Sequence, residues 1–225
     1  MPRLDVWLVE TGRFSSRQAA KRAIKDGLVT VNGLGCKPST QVSEKDKIEL
    51  HSTEADVPQG FQKLKELDKY LQGKLVCSDC KALDIGSSAG GFLIYLAEKG
   101  AKVVGIEVSE RFVKELYAIV EKYQNISVLF TDAFDMDPNI IASDDQLDLL
   151  LVDVTTEPEG TLILIKKFTS LLKRKGRLLA AFKSNHKSDI LSYLKDGIAQ
   201  LGYIQIQEII LDKSRQEVHI TAIRM

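Results

Sequence analysis

The chain has 225 residues, of which 44% are hydrophobic, and its 31 lysines and arginines balance 31 aspartates and glutamates. This length is enough for one substantial α/β domain and a small additional domain. The neutral total gives no support to nucleic-acid binding, but residues 1–37 contain seven basic and three acidic residues. The amino-terminal part of the chain is therefore locally basic.

Two classes of protein are excluded by composition. No run approaches the roughly 18 apolar residues of a membrane span, and the first residues lack the apolar core of a signal peptide, so a cytoplasmic protein without membrane contact is expected. Three cysteines cannot form a disulfide framework. Cys77 and Cys80 form a single Cys-x-x-Cys pair, short of the four ligands of a structural zinc, so no metal site is predicted.

The first fifty residues predict a small α+β unit. Leu4, Leu8 and Val9 share one helical face, and Ser15 or Ser16 is suited to cap a second helix. In chain order the pattern predicts helices over residues 4–11 and 17–26, a strand over 28–31 with an Asn-Gly turn, and a strand over 47–50.

Several segments of this region resemble the S-four RNA-binding domain. They are Arg3-Leu-Asp, Ser15-Ser-Arg, Ala20-Lys-Arg-Ala-Ile-Lys-Asp-Gly-Leu-Val-Thr-Val-Asn-Gly and Lys37-Pro-Ser-Thr-Gln-Val-Ser. The resemblance implies an RNA partner, and a basic helix face beside a hairpin is suited to phosphate contacts and to RNA recognised by shape. The candidate RNA-binding side chains are Arg3, Arg17, Lys21, Arg22 and Lys25.

A polar stretch with a proline and a glycine separates this unit from the rest of the chain. The predicted domains are therefore 1–51, an S-four-type domain, and 61–225, joined by a linker over 52–60. The second domain opens with a helix over 61–71, whose apolar residues recur at helical spacing.

Strands and helices alternate through the second domain. Strands are predicted over 81–85, 102–107, 126–131, 147–152, 177–182, 203–211 and 218–224, and helices over 91–99, 110–123, 160–172 and 187–201. This alternation predicts an α/β, Rossmann-like and mostly parallel sheet, with ligands at the carboxyl ends of its strands. The last two strands are joined by a connection short enough for a hairpin, so the last strand is antiparallel. That arrangement is typical of class I methyltransferases.

A glycine-rich turn follows the first strand of this sheet. Glycine allows a backbone to approach a ligand closely, and the helix beyond offers free N–H groups. The turn alone fits either a dinucleotide or S-adenosylmethionine. Its candidate cofactor-binding residues are Asp84, Gly86, Ser87, Ser88, Gly90, Gly91 and Phe92.

Acidic residues end the next two strands. Glu107 follows the second strand, where a carboxylate can accept hydrogen bonds from two ribose hydroxyls. Asp132, followed by Ala133, ends the third strand, where it is expected to meet an adenine amino group. Either acid alone could cap a helix, but acids after strands one, two and three together resemble an S-adenosylmethionine site.

Four further ionisable residues are predicted to be catalytic. Asp153 ends the fourth strand, Lys183 ends the fifth, Glu217 begins the last, and Lys63 lies in the helix before the sheet. This set resembles the Lys-Asp-Lys-Glu tetrad of the FtsJ-like RNA 2′-O-methyltransferases, although Lys65 competes for the first position. Together with the S-four-like segments and the glycine loop, the whole chain is similar to the TlyA (hemolysin A) family of rRNA methyltransferases.

These residue types suit methylation of a ribose hydroxyl. A 2′-hydroxyl is a poor nucleophile, so its proton must be removed or its oxyanion supported. We expect Lys183 to be the base, with a pKa lowered by the charge of Lys63, while Asp153 and Glu217 orient the two amines.

The sequence therefore predicts an S-adenosylmethionine-dependent RNA methyltransferase that acts on a ribose 2′-hydroxyl of rRNA. Two alternatives remain open: a class I methyltransferase acting on a base or small molecule, and a non-catalytic RNA-binding or ribosome-assembly factor with a vestigial cofactor pocket. The loops after Asp153 and Lys183 depart from the TlyA pattern, which leaves the target nucleotide open.

Overall fold

The computed structural model describes residues 1–14, 16–51, 57–183, 188–212 and 216–225. Ser15, most of the expected linker and the residues that directly follow Lys183 lie outside the described residues. The chain forms two compact units, Met1–Gln59 and Gly60–Met225.

The first unit contains two helices and a small antiparallel sheet. Its elements are α1 (Leu4–Glu10), α2 (Arg17–Lys25), β1 (Val29–Val31), β2 (Leu34–Gly35) and β3 (Ile48–Leu50). β1 lies between β2 and β3 and pairs antiparallel with both. Ser16 caps α2 by accepting a hydrogen bond of 3.2 Å from the backbone N–H of Ala19. Leu4, Leu8 and Ile24 are buried between the helices and the sheet.

The second unit is built from alternating helices and strands. They are α3 (Gln59–Tyr70), β4 (Lys81–Ile85), α4 (Gly91–Glu98), β5 (Lys102–Glu107), α5 (Val113–Lys122), β6 (Ile126–Phe130), β7 (Leu147–Val152), α6 (Pro158–Phe168), β8 (Leu172–Lys183), α7 (Ser188–Gln200), β9 (Tyr203–Ile209) and β10 (Glu217–Arg224). The predicted elements are all present in the described part of this unit, with bounds that differ by a few residues.

The seven strands β4–β10 form one sheet in the order β6-β5-β4-β7-β8-β10-β9. β4 to β8 are mutually parallel, whereas β10 runs antiparallel to both β8 and β9. This confirms the predicted class I methyltransferase arrangement with an antiparallel last strand. The carboxyl ends of the parallel strands meet along one side of the sheet, called here the carboxyl edge; the opposite side is the amino edge.

β8 begins five residues before its predicted start, and the reason is a bulge. Leu147 pairs with Leu172, but Leu149 already pairs with Arg177, so residues 173–176 leave the ladder. The basic and polar composition of this segment hides the strand from a search for apolar runs. None of the helices in the described ranges has the length and apolar character needed to span a lipid bilayer.

Candidate active site

Two glycines allow three segments to meet at the carboxyl edge. A Cβ on Gly86 would lie 2.4 Å from the backbone oxygen of Asp153, and a Cβ on Gly91 would lie 2.5 Å from the backbone nitrogen of Phe61. Gly86 also has a φ of 92°, which side chains rarely tolerate. The glycine loop therefore packs directly against the segment that carries Asp153 and against the start of α3, which carries Lys63.

Asp84, in β4, is a buried acid without a partner. Its side chain is inaccessible to solvent, and neither carboxylate oxygen has a hydrogen-bond partner among the described residues. Burial, opposed by Ser87 and reinforced by the charges of Asp153 and Glu107, raises the pKa of Asp84 to about 7. Because an unpaired buried carboxylate is costly, this position favours a ligand that brings a positive charge.

The backbone holds Glu107 and Asp132 in fixed positions. The two carboxylate oxygens of Glu107 accept hydrogen bonds of 2.7 Å from the backbone N–H groups of Ser88 and Ser109. Asp132 accepts one of 2.8 Å from the backbone N–H of Phe134, so it also performs the capping function that an acid at a strand end commonly has. Glu107 keeps unused lone pairs on both oxygens, which is what two ribose hydroxyls would require.

The other predicted cofactor-binding residues line the same loop. The Oγ of Ser87 donates a hydrogen bond of 3.2 Å to the backbone oxygen of Asp84. Gly90 has a φ of 78° and forms the N-cap of α4, whose first turn contains no acidic residue. Phe92 and Ala133 are buried. The amino end of α4 therefore faces the loop with free N–H groups.

Lys63, Asp153, Lys183 and Glu217 converge at the carboxyl edge. The Nζ of Lys63 lies 2.7 Å from Asp153 Oδ2 and 2.7 Å from Glu217 Oε1. The Nζ of Lys183 lies 3.2 Å from Asp153 Oδ1 and also contacts Glu217 Oε2. Each lysine thus bridges both carboxylates. Of the two lysines considered for the first tetrad position, Lys63 makes these contacts, whereas the Nζ of Lys65 lies 5.9 Å from the ring centre of Phe61.

The four side chains differ in exposure. The side chain of Lys183 is 36% exposed, against 14% for Lys63, 20% for Asp153 and 15% for Glu217. Lys183 and Glu217 are cross-strand neighbours in the β8–β10 ladder, which explains how residues far apart in the chain come together. Lys183 is thus the member most accessible to a substrate.

The expectation that Lys183 has a lowered pKa is wrong for this arrangement. Burial lowers the pKa of Lys183, but the negative charges of Asp153 and Glu217 outweigh burial and raise it above its usual value. Burial alone would raise the pKa of Glu217; His219 and the two lysines outweigh that effect and hold the pKa of the Glu217 carboxyl well below its usual range. The resting tetrad therefore contains a charged Lys183.

His219 is a residue of the site that sequence reasoning missed. It is 2% exposed and lies on β10, two residues after Glu217 and on the same side of the strand. Its Nε2 is 3.1 Å from Glu217 Oε1. The period-2 pattern of a strand could have suggested this neighbour, because residues i and i+2 point to the same face.

The basic face of the first unit is organised around another residue that sequence reasoning missed. The carboxylate of Asp5 has a fully buried side chain and lies 2.9 Å from Arg3 Nε, 3.0 Å from Arg17 Nη2 and 3.8 Å from Lys21 Nζ. Burial raises the pKa of Asp5, but hydrogen bonds from Arg3 and Arg17 hold it below its usual value. An acid beside Leu4 on the apolar side of α1 was the available signal.

Asp5 leaves the three cations accessible while fixing their positions. The side chains of Arg3, Arg17 and Lys21 remain 44%, 53% and 43% exposed. The other two predicted RNA-binding residues behave differently: Arg22 donates a hydrogen bond to the backbone oxygen of Val57, and Lys25 is exposed. The first unit therefore presents a pre-arranged set of cations.

The residues around the glycine loop fit S-adenosylmethionine. Its α-ammonium group matches the unpartnered Asp84, and its ribose hydroxyls match the oriented carboxylate of Glu107. Asp132 and Ala133 would lie on the adenine side of the cofactor. When bound, the cofactor supplies an electrophilic methyl group and a positive charge beside the tetrad.

Comparison with known proteins extends over both units. A curated, uncharacterised protein of Methanocaldococcus jannaschii is 26% identical over 162 residues, which are 62% of this chain and 43% of that protein. The chain thus spans less than half the length of this relative. A candidate hemolysin from Streptococcus thermophilus has a TM-score of 0.62 at 19% identity and covers 100% of this chain and 88% of its own.

A second solved structure shares the fold of the second unit. Aeropyrum pernix fibrillarin, determined with natively bound S-adenosyl-L-methionine, has a TM-score of 0.60 at 21% identity over 70% of this chain and 74% of its own. Family models match at two places: the S4 domain at residues 2–48 and the FtsJ-like methyltransferase at residues 57–202. The matches confirm the predicted S-four domain and a methyltransferase domain, for which S-adenosylmethionine is the implied cofactor. The chain therefore belongs to the FtsJ-like methyltransferase family and carries an S4 domain before the segment that matches this family.

Proposed function

We propose that this protein transfers the methyl group of S-adenosylmethionine to a ribose 2′-hydroxyl of RNA, and that its substrate is rRNA. The observation that carries the proposal is the closed set of contacts among Lys63, Asp153, Lys183 and Glu217 beside the glycine loop. Amino-group methylation of a base has no use for two lysines, whereas a hydroxyl nucleophile needs a group that takes or balances its proton. The S4 domain and the resemblance to the TlyA rRNA methyltransferases support RNA, and rRNA in particular.

In the proposed reaction, Lys183 faces the substrate hydroxyl. The bond between the 2′-oxygen and the methyl carbon forms as the carbon–sulfur bond breaks, and the electron pair of that bond stays on the sulfur. The hydroxyl proton passes to the amine form of Lys183 and from there to solvent. Lys63 also pairs with both carboxylates, so the negative charges of Asp153 and Glu217 are shared between two lysines. The two carboxylates therefore position Lys183 without pairing with it alone.

The raised pKa of Lys183 gives this mechanism a characteristic pH dependence. Only a small fraction of Lys183 is amine at neutral pH, because two carboxylates favour the ammonium form. A neighbouring positive charge lowers the pKa of a lysine, so the cationic cofactor increases the amine fraction when it binds. The methylation rate should still rise with pH, approaching tenfold per pH unit below the pKa of Lys183 in the complex.

Labelled methyl transfer tests the proposal. Purified protein is incubated with S-adenosylmethionine carrying a radioactive methyl group and with ribosomal subunits from cells that lack the protein, and the product RNA is hydrolysed in alkali. A 2′-O-methyl group blocks cleavage at its own nucleotide, so the label should remain in an uncleaved dinucleotide. Lys183→Met should abolish the labelling, and Lys65→Met, which removes an exposed lysine of the same helix α3 on a side different from that of Lys63, serves as the control.

Other results would identify the alternatives. Label recovered in mononucleotides after alkali would indicate base methylation. Tight binding to ribosomal subunits without any label transfer, by a protein that does not bind S-adenosylmethionine, would indicate a non-catalytic RNA-binding factor.

A further inference from the structure

A basic cavity lies at the amino edge of the sheet, on the opposite side from the tetrad. It encloses about 290 Å³ and is lined by residues before β4, at the start of β7 and in the bulge of β8. We call it the amino-edge cavity. Its charged lining residues are Lys74, Lys173, Arg174, Lys175, Arg177 and one acid, Asp148.

The positive charge of this cavity is largely uncompensated. Asp148 is already occupied: it lies 2.7 Å from Lys173 Nζ and accepts a hydrogen bond of 2.9 Å from the backbone N–H of Lys81. The other four cations of the lining have no acidic partner within the described ranges of the chain. Five cations against one acid give the lining a net charge of +4, although the chain as a whole is neutral. Such a concentration favours an anionic ligand.

The backbone of the bulge that carries these cations is tightly turned. A Cβ on Gly176 would lie 2.8 Å from both Leu172 Cδ1 and the backbone oxygen of Lys173, so the chain turns there without room for a side chain. Lys175 has a φ of 65°, a left-handed conformation that is uncommon for residues other than glycine. A lysine kept in such a conformation on a fixed loop suggests a use for its charge rather than a random surface position.

We propose that the amino-edge cavity binds a phosphodiester of the RNA substrate, as a contact separate from both the S4 domain and the tetrad. This inference depends on RNA being the substrate. Lysine and arginine are the side chains that proteins use for phosphate, and grooves lined with them follow nucleic-acid backbones.

The position of the cavity also defines the kind of RNA. β4 has five residues, which at about 3.3 Å per residue corresponds to roughly 16 Å between the two edges of the sheet. An RNA that reaches both edges must extend around the domain. The substrate is therefore an RNA long enough to reach from the target nucleotide to the amino edge, and an oligonucleotide too short to span this distance would use the carboxyl edge alone.

Cys77 provides a natural probe of the cavity. It is exposed and lines the cavity. Burial raises the pKa of the Cys80 thiol to about 12 and also raises the pKa of Cys36. The chain has three cysteines, so at pH 7.5 iodoacetamide should modify Cys77 first.

The experiment measures the rate of Cys77 alkylation and the affinity for RNA in the full-length protein. The test variant is Arg174→Gln with Lys175→Asn, because asparagine tolerates the left-handed conformation. The control is Lys99→Gln with Lys122→Gln, two exposed lysines at the ends of α4 and α5. If the test variant melts earlier than the wild type, Lys74→Gln, in a different segment of the lining, replaces it.

Folded rRNA fragments should slow Cys77 alkylation several-fold in the wild type and in the control, but not in the test variant. The slope of log affinity against log salt should decrease by about 1 to 2 in the test variant, as expected for two lost phosphate contacts. Methylation of a short oligonucleotide should be unchanged in all three proteins.

Three outcomes would overturn the inference. They are equal protection in the test variant, an unchanged salt slope, and protection of Cys77 by inorganic phosphate or a free nucleotide at concentrations that do not affect RNA binding. The last outcome would make the cavity a small-molecule site. Absence of methyl transfer from the wild type to ribosomal subunits would instead contradict the proposed function.

Discussion

The substitution Asp84→Asn should stabilise the protein in the absence of the cofactor, although it removes a residue of the cofactor site. Asp84 is fully buried without a hydrogen-bond partner among the described residues, and its pKa is raised to about 7, against about 4 in an unfolded chain. Between these two values the folded state binds more protons than the unfolded state, so this group destabilises the fold progressively as the pH rises. The cost is on the order of 1 kcal/mol at pH 5 and on the order of 4 kcal/mol at pH 8.

Urea unfolding of wild type and variant at pH 5 and pH 8 measures this cost, because the difference between the two proteins cancels every other titrating group. The gain in the variant should increase by roughly 2 to 3 kcal/mol between the two pH values. Saturating S-adenosylmethionine should stabilise the wild type much more than the variant, since the ligand ammonium pairs with the ionised carboxylate. Cofactor affinity of the wild type should correspondingly fall below pH 7.

Asp148→Asn is the matched control with the opposite sign. Burial raises the pKa of Asp148, but Lys173 and the backbone N–H of Lys81 outweigh burial and lower it. Asp148 therefore contributes stability above its unfolded pKa, and its replacement should destabilise the protein at pH 8. An Asp84→Asn variant that is no more stable than the wild type at pH 8 would refute the assignment of Asp84 as an unpaired, buried acid.

Three further predictions concern the tetrad and the RNA-binding face. Lys183→Met should lower the rate of methyl transfer by at least about 10²-fold while calorimetry shows cofactor binding unchanged; Lys183→Arg should give no recovery at high pH. His219→Ala should raise the pKa of Glu217, because Glu217 loses a neighbour that lowers it. We expect kcat to fall several-fold and the pH profile of the rate to shift, while KM for RNA stays unchanged. His219→Gln should recover part of the rate. Asp5→Asn should destabilise the S4 domain by about 1–3 kcal/mol. It should also weaken RNA binding in filter assays, since Arg17 loses the acid that positions it. An unchanged RNA affinity would show that Asp5 is not needed to position the cations around it.

The sequence was most informative where a local rule determines structure. Alternating apolar strands and amphipathic helices predicted the sheet, and the short connection before β10 predicted its direction. Asp84, Glu107 and Asp153 lie at the carboxyl ends of β4, β5 and β7, as the apolar runs before them indicated. Each of these features depends on neighbours in the chain.

Features that depend on distant contacts were missed or misjudged. The pKa of Lys183 was expected to fall because of Lys63, but Asp153, which follows β7, and Glu217 in β10 both contact the ammonium group and raise its pKa despite burial. The burial of Asp5 depends on the packing of α1 against α2, and the bulge in β8 depends on its pairing with β7. The carboxylates around Lys183 and the bulge in β8 cannot be obtained from spacing along the chain, and spacing places Asp5 on the apolar side of α1 without showing what packs over it.

The location of β10 inside the sheet has a consequence for biosynthesis. It is inserted between β8 and β9, although it follows both in the chain. A nascent chain translated only as far as β9 lacks the strand that joins β9 to the remainder, and it also lacks Glu217. The cluster of Lys63, Asp153, Lys183 and Glu217 is consequently complete only after nearly the whole domain has left the ribosome, so a chain that ends before β10 should lack Glu217 and leave the sheet open between β8 and β9.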